Sequence, residues 1–124
     1  MTDEDDLHRF KIILSEKIAH KSGAIPFCMD LSFDMDTIVL NTFRTPHEWG
    51  QEVRVDGLPI LSNQWYEIQI VVTYDGYKVF INGNYIQRLA HRLPKSAAKY
   101  LIVSGNTRVL NIENKEGPQS FISF

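Results

Sequence analysis

Apolar and polar residues alternate along most of this chain, which is the pattern of half-buried β-strands. The alternation is clearest at 65–73, where Ile68, Ile70 and Val72 share one face and Glu67 lies on the other. Successive side chains of a strand point to opposite faces, so the three aliphatic residues are expected to face a core. The same criteria predict further strands at 10–14, 25–33, 37–43, 49–55, 77–81, 84–90, 99–104 and 108–112.

Two hairpin turns join the most regular of these strands. One is at 74–76, and the other is Asn82-Gly83, a dipeptide typical of a tight two-residue hairpin. Between them, Tyr77, Val79 and Ile81 are predicted to face inward. No long helical periodicity is present. The pattern predicts an all-β, antiparallel sandwich or barrel in a single domain, 1–124, with 1–7 as a disordered acidic start.

Composition excludes several classes of function. The 124 residues suffice for one core, and the net charge of −2 argues against nucleic acid as a partner. No apolar run reaches the roughly 18 to 20 residues that a membrane helix needs. A lone cysteine, Cys28, cannot form an internal disulfide, and the acidic start is unlike a secretory signal. We therefore expect no membrane insertion and a cytoplasmic location, with export without a signal peptide left open.

The stretch 49–54 carries the most suggestive chemistry. Trp49, Glu52 and Arg54 bring an aromatic plane, a carboxylate and a guanidinium close together in sequence. Glu52 and Arg54 share one face of a strand, and a bulge at Gly50 would bring Trp49 beside them. A flat ring flanked by donors and acceptors suits a sugar. A core tryptophan beside a surface ion pair is the alternative.

The remaining residues do not form a catalytic or metal site by spacing. The histidines at 8, 20, 47 and 91 lack metal-ligand spacing, and neither a hydrolase elbow nor a phosphate or dinucleotide loop is present. We expect no enzyme activity, no metal and no cofactor. Cys28 is predicted to be a small thiol that is either buried or half-exposed, Trp65 a core residue, and His91-Arg92 part of a turn rather than a site.

The order of segments resembles the galectin family of β-galactoside-binding lectins. The resemblance is carried by Asp-Thr-Ile-Val-Leu-Asn at 36–41, Trp-Gly-Gln-Glu-Val-Arg at 49–54, Gly-Tyr-Lys-Val-Phe-Ile-Asn-Gly at 76–83, and Ala-His-Arg-Leu-Pro at 90–94. It covers about 10–112. The resemblance implies a two-sheet jelly-roll sandwich that binds glycans.

Site residues follow from this resemblance position by position. It implies that Trp49 stacks on the face of galactose and that Asn41 and Glu52 take the 6-hydroxyl of the sugar. It also implies that Arg54 faces the next sugar and is held by Glu52.

One element departs from the family. Galectins contact the galactose 4-hydroxyl with His-x-Asn-Pro-Arg, and Cys28, Asp30 and Ser32 stand at the His, Asn and Arg positions. Asp30 and Ser32 keep this site polar, so the resemblance implies weak binding or altered specificity. The alternative is a galectin-fold protein that has lost sugar binding and acts through protein contacts.

The N-terminal side also departs from the family. Two or three strands precede the segment matching 10–14 in galectins, whereas about nine residues precede it here. The sequence therefore predicts a sandwich without those strands, either as a truncated or alternatively spliced form or with the edge supplied by another domain or partner. A homo-oligomer is compatible with this expectation.

Overall fold

The computed structural model describes residues 8–18, 23–44, 48–61, 64–105, 107, 109, 112–115 and 120–123, and these form eleven strands. A turn of 3-10 helix at Lys95–Ala97 lies between β8 and β9, and no helix in the described ranges is long and apolar enough to span a membrane. The strands are β1 (Arg9–Ser15), β2 (Ile25–Ser32), β3 (Thr37–Arg44), β4 (Glu48–Trp49), β5 (Val53–Asp56), β6 (Ile68–Val72), β7 (Gly76–Ile81), β8 (Asn84–Ala90), β9 (Tyr100–Gly105), β10 (Glu113–Lys115) and β11 (Ser120–Ser123).

A six-stranded antiparallel sheet has the order β4-β3-β2-β1-β9, with β5 also paired to β3. Its inner face is apolar because alternate residues such as Ile12, Met29 and Leu40 are fully or almost fully buried in the core. The opposite face, which we call the site face, therefore carries the intervening residues of the same strands. They include Lys11, Asp30, Val39 and Asn41, together with Glu52 and Arg54 beside them.

A five-stranded antiparallel sheet has the order β10-β11-β6-β7-β8. The predicted hairpins are confirmed, and Asn82 and Gly83 both adopt the positive φ that a two-residue turn of this kind requires. Tyr77, Val79 and Ile81 are fully buried, as the alternation predicts. The two sheets share one core, since Phe27 of the first packs on Tyr77 of the second with ring centroids 5.0 Å apart. The predicted all-β, two-sheet sandwich is confirmed.

The C-terminal segment completes the five-stranded sheet. β11 pairs with β6 in antiparallel register, with Ile122 opposite Ile70, and β10 pairs with β11. The sequence pattern predicted neither strand. Within the described residues, β1 is the first strand, and β11 lies along the edge of β6 that faces away from β7.

Three sequence predictions differ from the structure. The predicted strand 49–55 is two strands, β4 and β5, separated by 50–52. Trp65 is not in the core: its exposed fraction is 68%, because β6 starts only at Ile68. The predicted strand 108–112 lies largely outside the described residues, and Val109 and Ile112 belong to no strand.

Candidate functional site

A β-bulge separates β4 from β5 and shapes the centre of the site face. Phe43 lies opposite Trp49, and Leu40 lies opposite Val53. Three steps along β3 thus correspond to four steps along the other segment, which leaves one extra residue near Gly50. The predicted bulge is confirmed. It places Trp49 on the same face as the residue immediately before Val53.

Trp49 stands partly exposed at one end of this face, with 50% of its surface open to solvent. Its ring packs edge-to-face on Phe43, with centroids 5.0 Å apart and an interplanar angle of 62°. Aromatic pairs prefer this geometry, so Phe43 holds the indole in place from one side. The rest of the ring remains available as an apolar platform.

Glu52 and Arg54 are both exposed next to this platform, but they are not paired with each other. The Arg54 Nε donates to Asp56 Oδ1 at 3.3 Å. This differs from the expectation that Glu52 holds Arg54, because Asp56 shares a face with Arg54 on β5. Among the described residues, Glu52 makes no hydrogen bond or ion pair, so its carboxylate oxygens are available as acceptors.

Asn41 is the most constrained polar residue of the face. Only 7% of its surface is exposed. Its Oδ1 accepts from the backbone N–H of Thr42 at 2.7 Å, and its Nδ2 donates to the carbonyl oxygen of Gly50 at 3.0 Å. The amide therefore ties β3 to the bulge that follows Trp49. Its second N–H has no acceptor among the described residues.

Arg92 also reaches this site, which the sequence pattern did not predict. Its Nη1 donates to Asn41 Oδ1 at 3.1 Å and to Thr42 Oγ1 at 3.3 Å. Arg92 lies in the bend that follows β8, as expected, and its side chain in addition contacts Asn41 and Thr42, which was not expected. The contact joins residues 51 positions apart, so no local spacing could signal it.

The three departures from the galectin pattern lie on β2, along the same face. Cys28 is opposite Asn41 in register and is buried in a small apolar cluster with Ile13 and Ile25. Burial raises the pKa of its thiol to about 11, so the sulfur is a neutral thiol at physiological pH. Of the two predicted alternatives, the buried thiol is the one found, and the position contributes an apolar floor.

The other two departures are already engaged within the protein. Both carboxylate oxygens of Asp30 accept hydrogen bonds from Arg9, at 3.1 Å from Nε and 2.9 Å from Nη2. Ser32 Oγ accepts from the backbone N–H of Met35 at 3.1 Å in the following turn. These contacts reduce what either side chain can offer to a ligand.

The register places the candidate residues in rows across the face. Cys28 and Asn41 form one row with the position before Val53, which is Glu52. Asp30, Val39 and Arg54 form the next row, with Val39 between the two charges. The structure therefore brings Asn41, Trp49 and Glu52 together around the bulge, and it places Asp30, Ser32 and Arg54 on the adjoining part of the same face.

No group of three or more histidine, cysteine, aspartate or glutamate side chains that could hold a metal ion occurs within the described parts of the chain. The polar groups of the face instead form a set of hydrogen-bond donors and acceptors around an aromatic ring. Such a set binds neutral, hydroxyl-rich molecules without needing a reactive group.

Comparison with known proteins gives the family. The model of the family described as galactoside-binding lectin matches residues 2–114. The chain is 33% identical over 103 residues to a 32 kDa beta-galactoside-binding lectin of Haemonchus contortus, and 29% identical over 111 residues to Galectin-4 of Rattus norvegicus. These matches cover 82% and 88% of the chain, but only 36% and 33% of the two relatives. The chain thus spans about a third of their length.

Solved structures share the fold at lower identity. Sheep galectin-11, solved with glycerol, aligns with a TM-score of 0.74 and 22% identity, covering 100% of this chain and 82% of that one. A variant of human galectin-16 aligns with a TM-score of 0.66 and 18% identity, covering 78% of this chain and 75% of that one. Since the family model spans most of the sequence, the chain belongs to the galectin family of galactoside-binding lectins.

Proposed function

We propose that this chain is a non-catalytic lectin domain that binds β-galactoside-containing glycans weakly or with altered specificity. Trp49 is the stacking platform, and Asn41, Glu52 and Arg54 supply the principal hydrogen bonds. The observation that carries the proposal is the position of the Trp49 ring, half of which is exposed. The ring packs on Phe43, and the bulge places it near Asn41. A tryptophan needed only for folding would be expected to bury most of its ring.

Altered specificity is supported by the engaged state of the β2 residues. Cys28 offers a buried thiol where galectins have an imidazole, and the carboxylate of Asp30 is neutralised by Arg9. A hydrogen bond contributes about 0.5 to 1.5 kcal/mol, and about 1.5 to 3 kcal/mol if one partner is charged. Losing two or three contacts to the 4-hydroxyl removes roughly 3 to 5 kcal/mol, on the order of a hundred- to several-thousand-fold in affinity.

A second candidate function is supported by the same residues. If Asp30 and Ser32 remain engaged by Arg9 and by the backbone of Met35, β2 retains only reduced hydrogen-bonding capacity for the galactose 4-hydroxyl. The domain would then be a galectin fold that acts through protein contacts. The exposed Trp49 and Glu52 beside Asn41 favour the lectin, because folding alone requires neither the half-exposed ring nor a carboxylate without a partner among the described residues.

The test is calorimetric titration with lactose and N-acetyllactosamine, followed by a broad glycan array. Trp49→Ala is expected to abolish binding, whereas Trp65→Ala serves as the matched control, since Trp65 is also exposed, at 68% against 50%, but lies on the segment before β6. Hits on other sugars, without binding of either disaccharide, would give a shifted specificity. If a folded sample binds no glycan on the array, the lectin function is rejected and the protein-contact function is favoured.

The proposal extends to localisation and assembly, which are tested separately from glycan binding. A buried, reduced Cys28 is compatible with a cytoplasmic protein, and export without a signal peptide is testable by fractionation of producing cells. A homo-oligomer is testable by light scattering at several concentrations.

A further inference from the structure

Arg92 connects the five-stranded sheet to the centre of the site face. It lies two residues after the end of β8, and its side chain is half-buried rather than extended into solvent. Its Nη1 reaches Asn41 Oδ1 at 3.1 Å and Thr42 Oγ1 at 3.3 Å, both on β3 of the other sheet. Arg92 therefore contacts Asn41, a residue of the proposed glycan site, but Arg92 is not itself a proposed ligand contact.

The guanidinium of Arg92 determines that the oxygen of the Asn41 amide, rather than its nitrogen, faces inward. Arg92 has donors only, and the backbone N–H of Thr42 is a second donor aimed at the same amide oxygen at 2.7 Å. A flipped amide would direct its N–H groups at two donors and its oxygen at the carbonyl of Gly50, which now accepts from Nδ2 at 3.0 Å. Only one orientation of Asn41 satisfies all three neighbours.

Gly50 provides the space that this contact requires. A Cβ at Gly50 would lie 2.6 Å from Arg92 Nη1, 2.8 Å from Thr42 Oγ1 and 3.1 Å from Asn41 Oδ1. The guanidinium therefore lies directly against the backbone that carries Trp49, where any other residue would displace it. Arg92 supports both the amide of Asn41 and the bulge next to the aromatic platform.

We infer that Arg92 is a positioning residue of the glycan site, which locks Asn41 so that it offers an N–H donor, never its oxygen, to a ligand. This inference rests on the proposed function for its biological meaning. Glu52 beside it supplies carboxylate oxygens as hydrogen-bond acceptors. A ligand group that bridges Asn41 and Glu52 must accept from one and donate to the other. A hydroxyl group does both, whereas a sulfate ester, an ether or a deoxy position does not.

The first experiment needs no ligand. The Asn41 side-chain amide resonances are identified in a ¹H–¹⁵N NMR spectrum by their loss in Asn41→Ala. In Arg92→Ala they are expected to shift and to exchange faster with water, and Arg92→Lys is expected to restore them in part, since ammonium reaches one acceptor. Arg88→Ala, which removes an arginine bound to Asp75 instead, is the matched control. Asn41 amide signals unchanged in a folded Arg92→Ala protein would overturn the inference.

The second experiment measures the glycan site itself, using the tightest-binding glycan from the array. Arg92→Ala is expected to weaken binding roughly tenfold in the wild-type background but by less than about twofold in Asn41→Ala, because Arg92 acts through Asn41. Equal losses in both backgrounds would overturn the inference. Derivatives of that glycan that are 6-deoxy or 6-O-sulfated are expected to bind less tightly than the parent. If the wild type binds no glycan, the proposed function fails, while the NMR experiment still decides the role of Arg92.

Discussion

Arg9 binds both carboxylate oxygens of Asp30, and the same arginine lies directly opposite Ser32 in the register of β1 and β2. The position where galectins have an arginine is therefore filled by a serine that faces an arginine on the neighbouring strand. A guanidinium remains in this region, but it enters from β1 and is occupied by Asp30. The residues at positions 30 and 32 are thus both related to Arg9: Asp30 accepts its hydrogen bonds, and Ser32 lies opposite it.

Restoring the galectin residues on β2 is expected to need a change at Arg9. The triple variant Cys28→His, Asp30→Asn, Ser32→Arg replaces the carboxylate that Arg9 binds by a neutral amide and places two guanidinium groups opposite each other. Adding Arg9→Ser removes this repulsion. We expect the quadruple variant to bind lactose about 100-fold more tightly than wild type, and the triple variant to gain markedly less. Calorimetry measures both, and equal affinities of the two folded variants would contradict the role of Arg9.

Gly50→Ala is expected to destabilise the domain by about 1 kcal/mol, because the added methyl group meets Arg92 Nη1 at 2.6 Å and displaces the guanidinium from Asn41 and Thr42. Urea unfolding measures the free energy. In an Arg92→Ala background the same substitution is expected to cost less, although the contact with Thr42 Oγ1 at 2.8 Å remains. An identical cost in both backgrounds would show that Arg92 does not compete for this space.

Cys28 is expected to be unreactive in the folded protein. Its exposed fraction is 5%, and burial raises the pKa of the thiol from 9.0 to about 11, so little thiolate exists at pH 8. Reaction with a disulfide reagent should be slow without denaturant and fast in urea. Fast labelling of the native protein would contradict the buried position.

The same pKa predicts an effect on alkaline stability. Folding favours the neutral thiol, so the stabilising contribution is fully present below the unfolded pKa of 9.0 and is lost as the pH rises through about 11. The unfolding free energy of wild type should therefore decrease more between these values than that of Cys28→Ala. Tyr77, whose pKa burial raises to about 12, is present in both proteins and cancels in the comparison. Parallel pH profiles would contradict the prediction.

Phe43→Leu tests the support of the aromatic platform. Removing the edge-to-face contact with Trp49 is expected to cost about 0.5 to 1.5 kcal/mol beyond the lost apolar area. Made in a Trp65→Phe background, it leaves Trp49 as the only tryptophan. Quenching of its fluorescence by acrylamide should then increase, and unchanged quenching would show that Phe43 does not restrain the ring.

Local patterns predicted most of the fold. The alternation of apolar residues identified β6 and β7 and their buried faces, since the apolar positions of a half-buried strand recur on the side that packs on the core. These positions are Ile68, Ile70, Tyr77 and Val79. Trp65 was wrongly placed in the core. Its segment continues the alternation in sequence, but Trp65 lies three positions before Ile68, the first residue of β6 to pair with β7.

The candidate site was predictable where its residues are close in sequence. Alternation predicted that Glu52 and Arg54 share a face, and the bulge expected at Gly50 was needed to bring Trp49 onto the same face. Arg92 and Arg9 were missed as parts of the site because their contacts to Asn41 and Asp30 join positions 51 and 21 residues apart. Such contacts depend on which strands and loops lie next to each other in the fold, and the hydrophobic periodicity of a sequence does not give that information.

The pairing of β11 with β6 has a consequence for how the domain forms during synthesis. Ile122 lies opposite Ile70, so the edge of β6 stays open until residues 120–123 have left the ribosome. The hairpins of β6, β7 and β8 are local and form earlier, whereas this last ladder closes a long loop and forms slowly. A nascent chain that already contains Trp49 and Asn41 therefore carries an unprotected strand edge, and this interval is when the chain is most exposed to pairing with other chains.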